Sequence, residues 1–138
     1  MISFKNKKIL ITGASGGIGN ALVKKFVTLG GNVLGTGTKA EKLDMIKKQF
    51  PSIRVQKFDI TEHSRIEDFL NNVVLELGGL DILINNAGTN VDNLSLMMKD
   101  DEWKKVIDLN LTSTFLLSKY SIKRMLKNKF GRIVNITS

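Results

Sequence analysis

A glycine-rich loop follows the first apolar run of the chain and can offer main-chain amides to a negatively charged group. The loop, Thr12 to Gly19, separates the run Lys8–Thr12 from a segment with helical apolar spacing. Glycine tolerates the positive φ of a tight turn, and the amides at a helix start attract phosphate. We therefore predict pyrophosphate binding rather than a merely flexible loop. The predicted contacts are Gly13, Ala14, Ser15, Gly16, Gly17, Ile18 and Gly19.

The residues after the second apolar run bear on which dinucleotide is bound. An Asp or Glu there would hydrogen-bond the ribose 2′-hydroxyl of NAD and repel a 2′-phosphate. This chain has Thr36, Thr38 and Lys39 instead. The sequence thus favours NADP(H) over NAD(H).

Two residues that occur once in the chain could suggest proton chemistry. Tyr120 is followed four residues later by Arg124, whose planar guanidinium does not replace a lysine ammonium. We predict that Tyr120 has a packing role. His63 is predicted to cap or decorate the third helix, and no cysteine or second histidine accompanies it, so no metal site is predicted.

The elements that would position these residues alternate regularly. Apolar runs predict strands at Lys8–Thr12, Asn32–Gly35, Ile53–Phe58, Leu80–Ile84 and Gly131–Ile136. Helical spacing predicts helices at Gly17–Leu29, Lys39–Phe50, Glu62–Leu77 and from Lys99 to about Asn128, the last as one helix or as two pieces meeting near Asp108.

Strands separated by amphipathic helices indicate an α/β fold with a doubly wound, Rossmann-like parallel sheet of about five strands. We expect residues 1–138 to form a single dinucleotide-binding domain with its ligand at the carboxyl ends of the strands.

Three motifs together resemble the short-chain dehydrogenase/reductase family. They are the Gly-x-x-x-Gly-x-Gly spacing of residues 13–19, the sequence Asn85-Asn86-Ala87-Gly88, and Asn110 on the long helix. The resemblance runs from about residue 4 to the end of the chain. It implies that Asn86, Ala87 and Gly88 contact the cofactor, that Asp59 accepts the adenine amino group, and that Ile60 packs on the adenine ring. A helix N-cap is the alternative role for Asp59.

The resemblance also implies carbonyl reduction by hydride transfer, with a Tyr as proton donor and a Lys that lowers the pKa of that Tyr. Ser138 matches the carbonyl-binding Ser, and Asn110 matches the Asn that orders a relay water, with a structural hydrogen bond across the sheet as its competing role. The Tyr and Lys are expected about a dozen residues after the Ser. We therefore expect a fold truncated after the fifth strand, lacking the C-terminal catalytic half and inactive alone.

Two further sequence segments resemble those of the bacterial 3-oxoacyl-[acyl-carrier-protein] reductases of fatty-acid synthesis. They are Asp92-Asn-Leu94 and Met98–Trp103. This implies a 3-oxoacyl thioester substrate on an acidic carrier protein, with Lys129 as a candidate contact or, alternatively, part of a solvated helix face. Those reductases usually have Arg where this chain has Gly16, which leaves open whether Lys39 replaces that charge.

The composition of the chain bears on whether it binds nucleic acid or a membrane. The net charge is +8, but the lysines are spread along the chain, which favours a solvated surface over nucleic-acid binding. No apolar run is long enough for a membrane span, and we expect a cytoplasmic protein. The resemblance implies a homo-oligomer when complete, with Leu111 and Phe115 at the contact. The alternative to a reductase is a non-catalytic dinucleotide-binding fragment.

Overall fold

Five short strands form one parallel sheet in the computed structural model, which describes residues 1–137. The strands are β1 Lys8–Thr12, β2 Asn32–Gly37, β3 Arg54–Lys57, β4 Ile82–Asn85 and β5 Arg132–Asn135. Their order is β3-β2-β1-β4-β5. The chain reverses its direction of travel across the sheet between β1 and β4, so a crevice opens at the carboxyl ends of these two strands.

Helices cover both faces of the sheet. They are α1 Gly17–Thr28, α2 Ala40–Gln49, α3 Ile66–Leu77, α4 Asp100–Ile107 and α5 Ser113–Lys127. Alternate side chains of β1 enter different cores: Ile9 and Ile11 pack with Val23 of α1, whereas Leu10 packs with Leu70 of α3 and Leu117 of α5. A strand buried on both faces needs apolar residues at every position, which explains its continuous apolar run.

The order and type of the predicted elements are confirmed, and the boundaries differ where local turns intervene. The third helix was expected from Glu62, but the chain first makes a 3₁₀ turn at His63–Arg65 and enters α3 at Ile66. The long helical stretch is two pieces, as one of the two predictions had it. They are joined by a π segment, Asp108–Thr112, in which the amide of Ser113 bonds the carbonyl of Asp108 five residues earlier.

The last strand lies at one border of the sheet. Its backbone pairs with β4 from Ile82↔Arg132 to Asn85↔Asn135, and within residues 1–137 no strand pairs with its other side. Its side chains are mostly exposed, in contrast to those of β4. Among the described helices, none has both the length and the apolar character that a bilayer crossing requires.

Candidate functional site

The glycine loop lies between β1 and α1, where it contacts the turn after β4. Gly13 has φ +61°, and a Cβ there would stand 2.9 Å from the Cα of Ala87. A Cβ on Gly19 would stand 2.0 Å from the Gly13 carbonyl oxygen. The two glycines therefore allow contacts that a side chain would prevent. At Gly17, by contrast, a Cβ would meet nothing within 4 Å, so this residue borders open space.

The start of α1 presents amides to that open space. Gly16 is the N-cap, and the first intrahelical hydrogen bond runs from the amide of Asn20 to the Gly16 carbonyl at 2.8 Å. The amides of Gly17, Ile18 and Gly19 precede that bond and are the orphan donors of a helix start. The first turn contains no acidic residue. Dipole and amides together favour an anion at this position.

A groove of about 400 Å³ runs along the carboxyl ends of β1, β2 and β3. It brings together the loop, the end of β2, the residues after β3 and the turn after β4. Its lining contains twelve of the thirteen residues predicted to contact a cofactor, Gly13, Ser15, Gly16, Gly17, Ile18, Gly19, Thr38, Asp59, Ile60, Asn86, Ala87 and Gly88.

Ala14 is the predicted contact that the groove lining does not include. The Ala14 side chain is fully buried and faces β2, where a Cβ on Gly35 would lie 2.7 Å from the Cβ of Ala14. Its amide donates to the carbonyl of Thr36 at 3.1 Å. Ala14 thus joins the loop to β2 through both its side chain and its amide.

The end of β2 supplies hydroxyl and ammonium groups. The hydroxyl of Thr36 is buried and donates to the carbonyl of Gln56 at 2.7 Å. Thr38 lines the groove, and Lys39 is the exposed N-cap of α2. The carboxylate among the groove-lining residues is Asp59, which follows β3.

Asp59 stabilises a local turn rather than a helix start. Its Oδ1 accepts hydrogen bonds from the amide of Thr61 at 2.9 Å and from the Thr61 hydroxyl at 2.6 Å. The helix N-cap offered as its alternative role is not formed, because Glu62 caps the 3₁₀ turn and Arg65 caps α3. Ile60 is almost wholly buried and contributes to the core as well as to the groove.

Thr12 holds the turn after β4 against the glycine loop, a role that sequence reasoning missed. Its hydroxyl accepts from the amides of Asn86 and Ala87, both at 3.0 Å. The side-chain Nδ2 of Asn86 in turn donates to the carbonyls of Thr12 and Gly13, both at 3.2 Å. The signal available was a hydroxyl residue placed between an apolar strand and the first glycine.

A second cavity of about 590 Å³ adjoins the groove and shares Ile18, Asn86, Ala87 and Gly88 with it. Asn110 of the π segment lies in its wall. The Asn110 Nδ2 donates to the carbonyl of Thr89 at 2.6 Å, and its Oδ1 accepts from the Thr89 amide at 2.9 Å. Asn110 therefore holds the loop after β4, whereas the competing role expected of it was a hydrogen bond across the sheet.

Among the described residues, Tyr120 and His63 line neither cavity. Ser138 lies outside the described residues, although Thr137 lines the second cavity. Tyr120 of α5 is partly buried and packs against the core, as predicted. His63 does not cap α3; its Nε2 lies near the Asp108 carbonyl and the Ser113 hydroxyl of the long helical stretch. Residues 1–137 contain no group of three His, Cys, Asp or Glu side chains suited to a metal ion.

The sequence is similar to a family model and to proteins of known name. A family model described as short chain dehydrogenase matches residues 7–138. The 3-oxoacyl-[acyl-carrier-protein] reductase FabG of Salmonella typhimurium is 41% identical over 99% of this chain, and that of Escherichia coli is 38% identical over 99%. The chain spans about 57% of the length of these relatives.

Solved structures give the same result for the fold. A metagenomic short-chain oxidoreductase in complex with NADP superposes with a TM-score of 0.94 at 32% identity, over 99% of this chain and 64% of that one. A short-chain dehydrogenase from Streptomyces avermitilis superposes with a TM-score of 0.88 at 28% identity, over 96% and 49%.

Proposed function

The chain belongs to the short-chain dehydrogenase family, and on that premise we propose that it binds NADP(H) in the groove at the carboxyl ends of β1, β2 and β3. The observation that carries the proposal is the lining of that groove, which unites residues from four separate loops. Bound there, the cofactor would supply the hydride for reduction of a carbonyl.

The groove fits a dinucleotide in shape and charge. Orphan amides at the start of α1 would hold the pyrophosphate, and the open space beside Gly17 leaves room for its oxygens. Asp59 and Ile60, at the end of the groove formed by β2 and β3, would hold the adenine. The turn Asn86–Gly88 borders both cavities and would guide the nicotinamide from one into the other.

The proposed preference for NADP(H) over NAD(H) rests on the end of β2. The exposed ammonium of Lys39 and the hydroxyl of Thr38 could accommodate a 2′-phosphate there. A carboxylate in their place would repel it. The structural relative that holds NADP is consistent with this preference.

We further propose that the whole protein reduces a 3-oxoacyl thioester carried on acyl carrier protein to the 3-hydroxyacyl form. Support comes from the two FabG relatives and from the motifs around Asp92 and Trp103. The substrate carbonyl would enter the second cavity, beyond the turn Asn86–Gly88 and beside Asn110. Ser138 follows Thr137 of that cavity wall and is the proposed carbonyl-binding residue.

Asn110 is the catalytic candidate that the structure describes. Both ends of its side-chain amide contact Thr89, so the amide orientation is fixed. A fixed amide beside a cavity can order a water molecule for proton relay. The proton donor itself is proposed to lie outside these 138 residues, because Tyr120 packs against the core and lines neither cavity.

The carrier protein is proposed to contact the turn between α5 and β5. Lys129 is exposed there with φ +52°, held by hydrogen bonds from its own amide and that of Phe130 to the last turn of α5. An exposed lysine at a fixed turn offers a positive charge to an acidic partner. Exposed apolar residues on the long helical stretch are proposed to join two copies of the complete protein.

A purely binding function is the second candidate, favoured by the packing of the sole tyrosine away from both cavities. The deciding experiment titrates the 138-residue chain with NADPH and NADH by fluorescence, and follows NADPH oxidation with an acetoacetyl thioester in the same sample. We expect NADPH binding without turnover. Turnover by the 138 residues would contradict the assignment of the proton donor to residues outside them.

A further inference from the structure

Four polar groups meet beside the π segment, from His63, Ile60, Asp108 and Ser113. The Nε2 of His63, in the 3₁₀ turn, lies 3.2 Å from the carbonyl oxygen of Asp108 and 3.1 Å from the hydroxyl of Ser113. That hydroxyl is fully buried and lies 2.7 Å from the same Asp108 carbonyl and 2.7 Å from the carbonyl of Ile60.

Counting donors and acceptors shows why a histidine suits this cluster. The carbonyls of Asp108 and Ile60 can only accept, and the Ser113 hydroxyl has a single hydrogen to donate. If the Ser113 hydroxyl donates its hydrogen to the Ile60 carbonyl, the Asp108 carbonyl can accept a side-chain hydrogen bond from the Nε2–H of His63. Without the imidazole, the single Ser113 hydroxyl would be the one side-chain donor near both the Ile60 and the Asp108 carbonyls.

The cluster lies at the first residue of the segment that carries Asn110. Asp108 begins the π segment, and its carbonyl accepts the i to i+5 bond from the Ser113 amide that defines the π geometry. Asn110 stands two residues later and contacts both main-chain groups of Thr89 in the wall of the second cavity. The position of Asn110 therefore depends on where Asp108 and Ser113 are held.

We propose that His63 is a positioning residue: its Nε2–H fixes the Asp108 carbonyl and thereby holds the π segment so that the Asn110 amide meets Thr89. The role of this Asn110 position in catalysis rests on the proposed function. The effect of His63 on the position of Asn110 does not depend on that function. His63 also connects the loop after β3, which lines one end of the groove, to the segment that lines the second cavity.

The ion pair of the Asp108 side chain cannot perform this role. Lys104 contacts the Asp108 carboxylate at 2.5 Å on the exposed surface of the helix, one turn away along α4. That pair acts through the side chain and within one helix, so it does not connect the π segment to the loop after β3.

The tautomer of His63 in the unmodified chain gives the first test. Long-range ¹⁵N–¹H NMR spectra distinguish a protonated Nε2 from a bare one. We expect the Nε2–H form, since only a donor can serve the Asp108 carbonyl. An Nδ1–H tautomer with a bare Nε2 would overturn the proposal.

Variants give the second test, read out as the hydrogen-exchange rate of the Thr89 amide, which donates to Asn110 Oδ1. His63→Ala should accelerate this exchange about tenfold, the effect of losing one partly buried hydrogen bond. His63→Gln retains a side-chain N–H at similar reach and should restore the rate to within about twofold of the original, because hydrogen-bond donation at this position is what matters.

Arg65→Ala is the matched control, because Arg65 belongs to the same 3₁₀ turn but its ion pair is with Glu62. It should leave Thr89 exchange unchanged. Equal Thr89 exchange in His63→Ala and the unmodified chain would overturn the proposal. If His63→Ala does not fold, the proposal is tested by Thr89 exchange in His63→Gln and by the tautomer of His63 in the unmodified chain. Failure of the unmodified chain to bind NADPH would refute the proposed function and leave the exchange comparison valid.

Discussion

At the scale of single residues, the candidate site depends on atoms that hold one loop against another. The Thr12 hydroxyl joins the turn after β4 to β1, Gly19 lets the helix start contact the Gly13 carbonyl, and Asn110 holds Thr89. Each of these contacts fixes a wall of the groove or of the second cavity. Substitutions there should therefore change ligand binding through loop geometry.

The two glycines of α1 differ sharply in the space around them. Gly19→Ala places a methyl group 2.0 Å from the Gly13 carbonyl oxygen, whereas Gly17→Ala meets nothing within 4 Å. We expect Gly19→Ala to lower the melting temperature and to abolish NADPH binding. Gly17→Ala should keep or raise stability by up to about 1 kcal/mol, the usual gain of Ala over Gly in a helix. Thermal melts of both variants check this, and equal melting temperatures would contradict it.

Removing the Thr12 hydroxyl tests the connection between β1 and the turn after β4. Thr12→Val leaves the amides of Asn86 and Ala87 without their acceptor while keeping the side-chain shape. We expect a loss of about 1–3 kcal/mol in the free energy of unfolding, because partly buried donors lose their partner. Thr12→Ser should recover most of it in urea titrations. A Thr12→Val variant as stable as the unmodified chain would show that these bonds contribute little.

At the scale of elements, α3 and α5 are joined across the surface by Glu67 and Lys123, whose Oε1 and Nζ are 3.0 Å apart. The hydrogen bond from Lys123 lowers the pKa of Glu67, with smaller contributions from the charges of Lys123, Arg124 and Lys119, and desolvation opposes them. A carboxyl whose pKa is lowered by folding contributes stability above its unfolded pKa, and that contribution disappears as the pH falls through the folded pKa.

Lys123→Met should therefore raise the pKa of Glu67 towards its ordinary value and reduce the loss of stability below about pH 4.5. Lys119→Met is the control, because Lys119 acts on Glu67 only through its more distant charge. NMR titration of the Glu67 carboxyl measures both. The same Glu67 pKa in the two variants would mean that the hydrogen bond does not cause the shift.

Strands and helices were predictable from the sequence because a doubly buried strand and an amphipathic helix have different apolar spacing. A junction near Asp108 was one of two predictions, but its π geometry was not predictable, since one inserted residue at Asp108–Thr112 leaves apolar residues on both sides at acceptable helical spacing. The role of His63 was also missed, because its partners lie 45 and 50 residues away in the chain. The glycine loop was predictable from its place between a strand and a helix, whereas Asn86, Ala87, Gly88, Asp59 and Ile60 were selected from the family resemblance. These residues do line one groove, and cofactor binding by them stays a prediction.

At the scale of the whole molecule, one side of the long helical stretch carries large exposed apolar residues. They are Leu111, Phe115, Ile122 and Leu126, between 46% and 70% exposed, and their spacing puts them on one face. An apolar stripe of this kind indicates an association surface. It contains both residues that the sequence analysis selected for subunit contact.

We expect the chain to form dimers at micromolar concentration in sedimentation velocity. A double variant, Phe115→Ser with Leu126→Ser, should shift the chain to monomer because it removes apolar area from the stripe. Leu75→Ser is the control, since Leu75 is 80% exposed on α3, away from that face. Dimers that persist in the double variant, or dissociate equally with Leu75→Ser, would contradict the assignment of this surface.

The groove at the carboxyl ends of the strands is proposed to bind a dinucleotide through the start of α1. The most direct measurement is a fluorescence titration of the unmodified chain with NADPH, repeated with NADH and with Gly19→Ala. We expect saturable binding that is tighter for NADPH than for NADH and absent in Gly19→Ala. Unchanged NADPH binding in Gly19→Ala, or no binding by the unmodified chain, would contradict it.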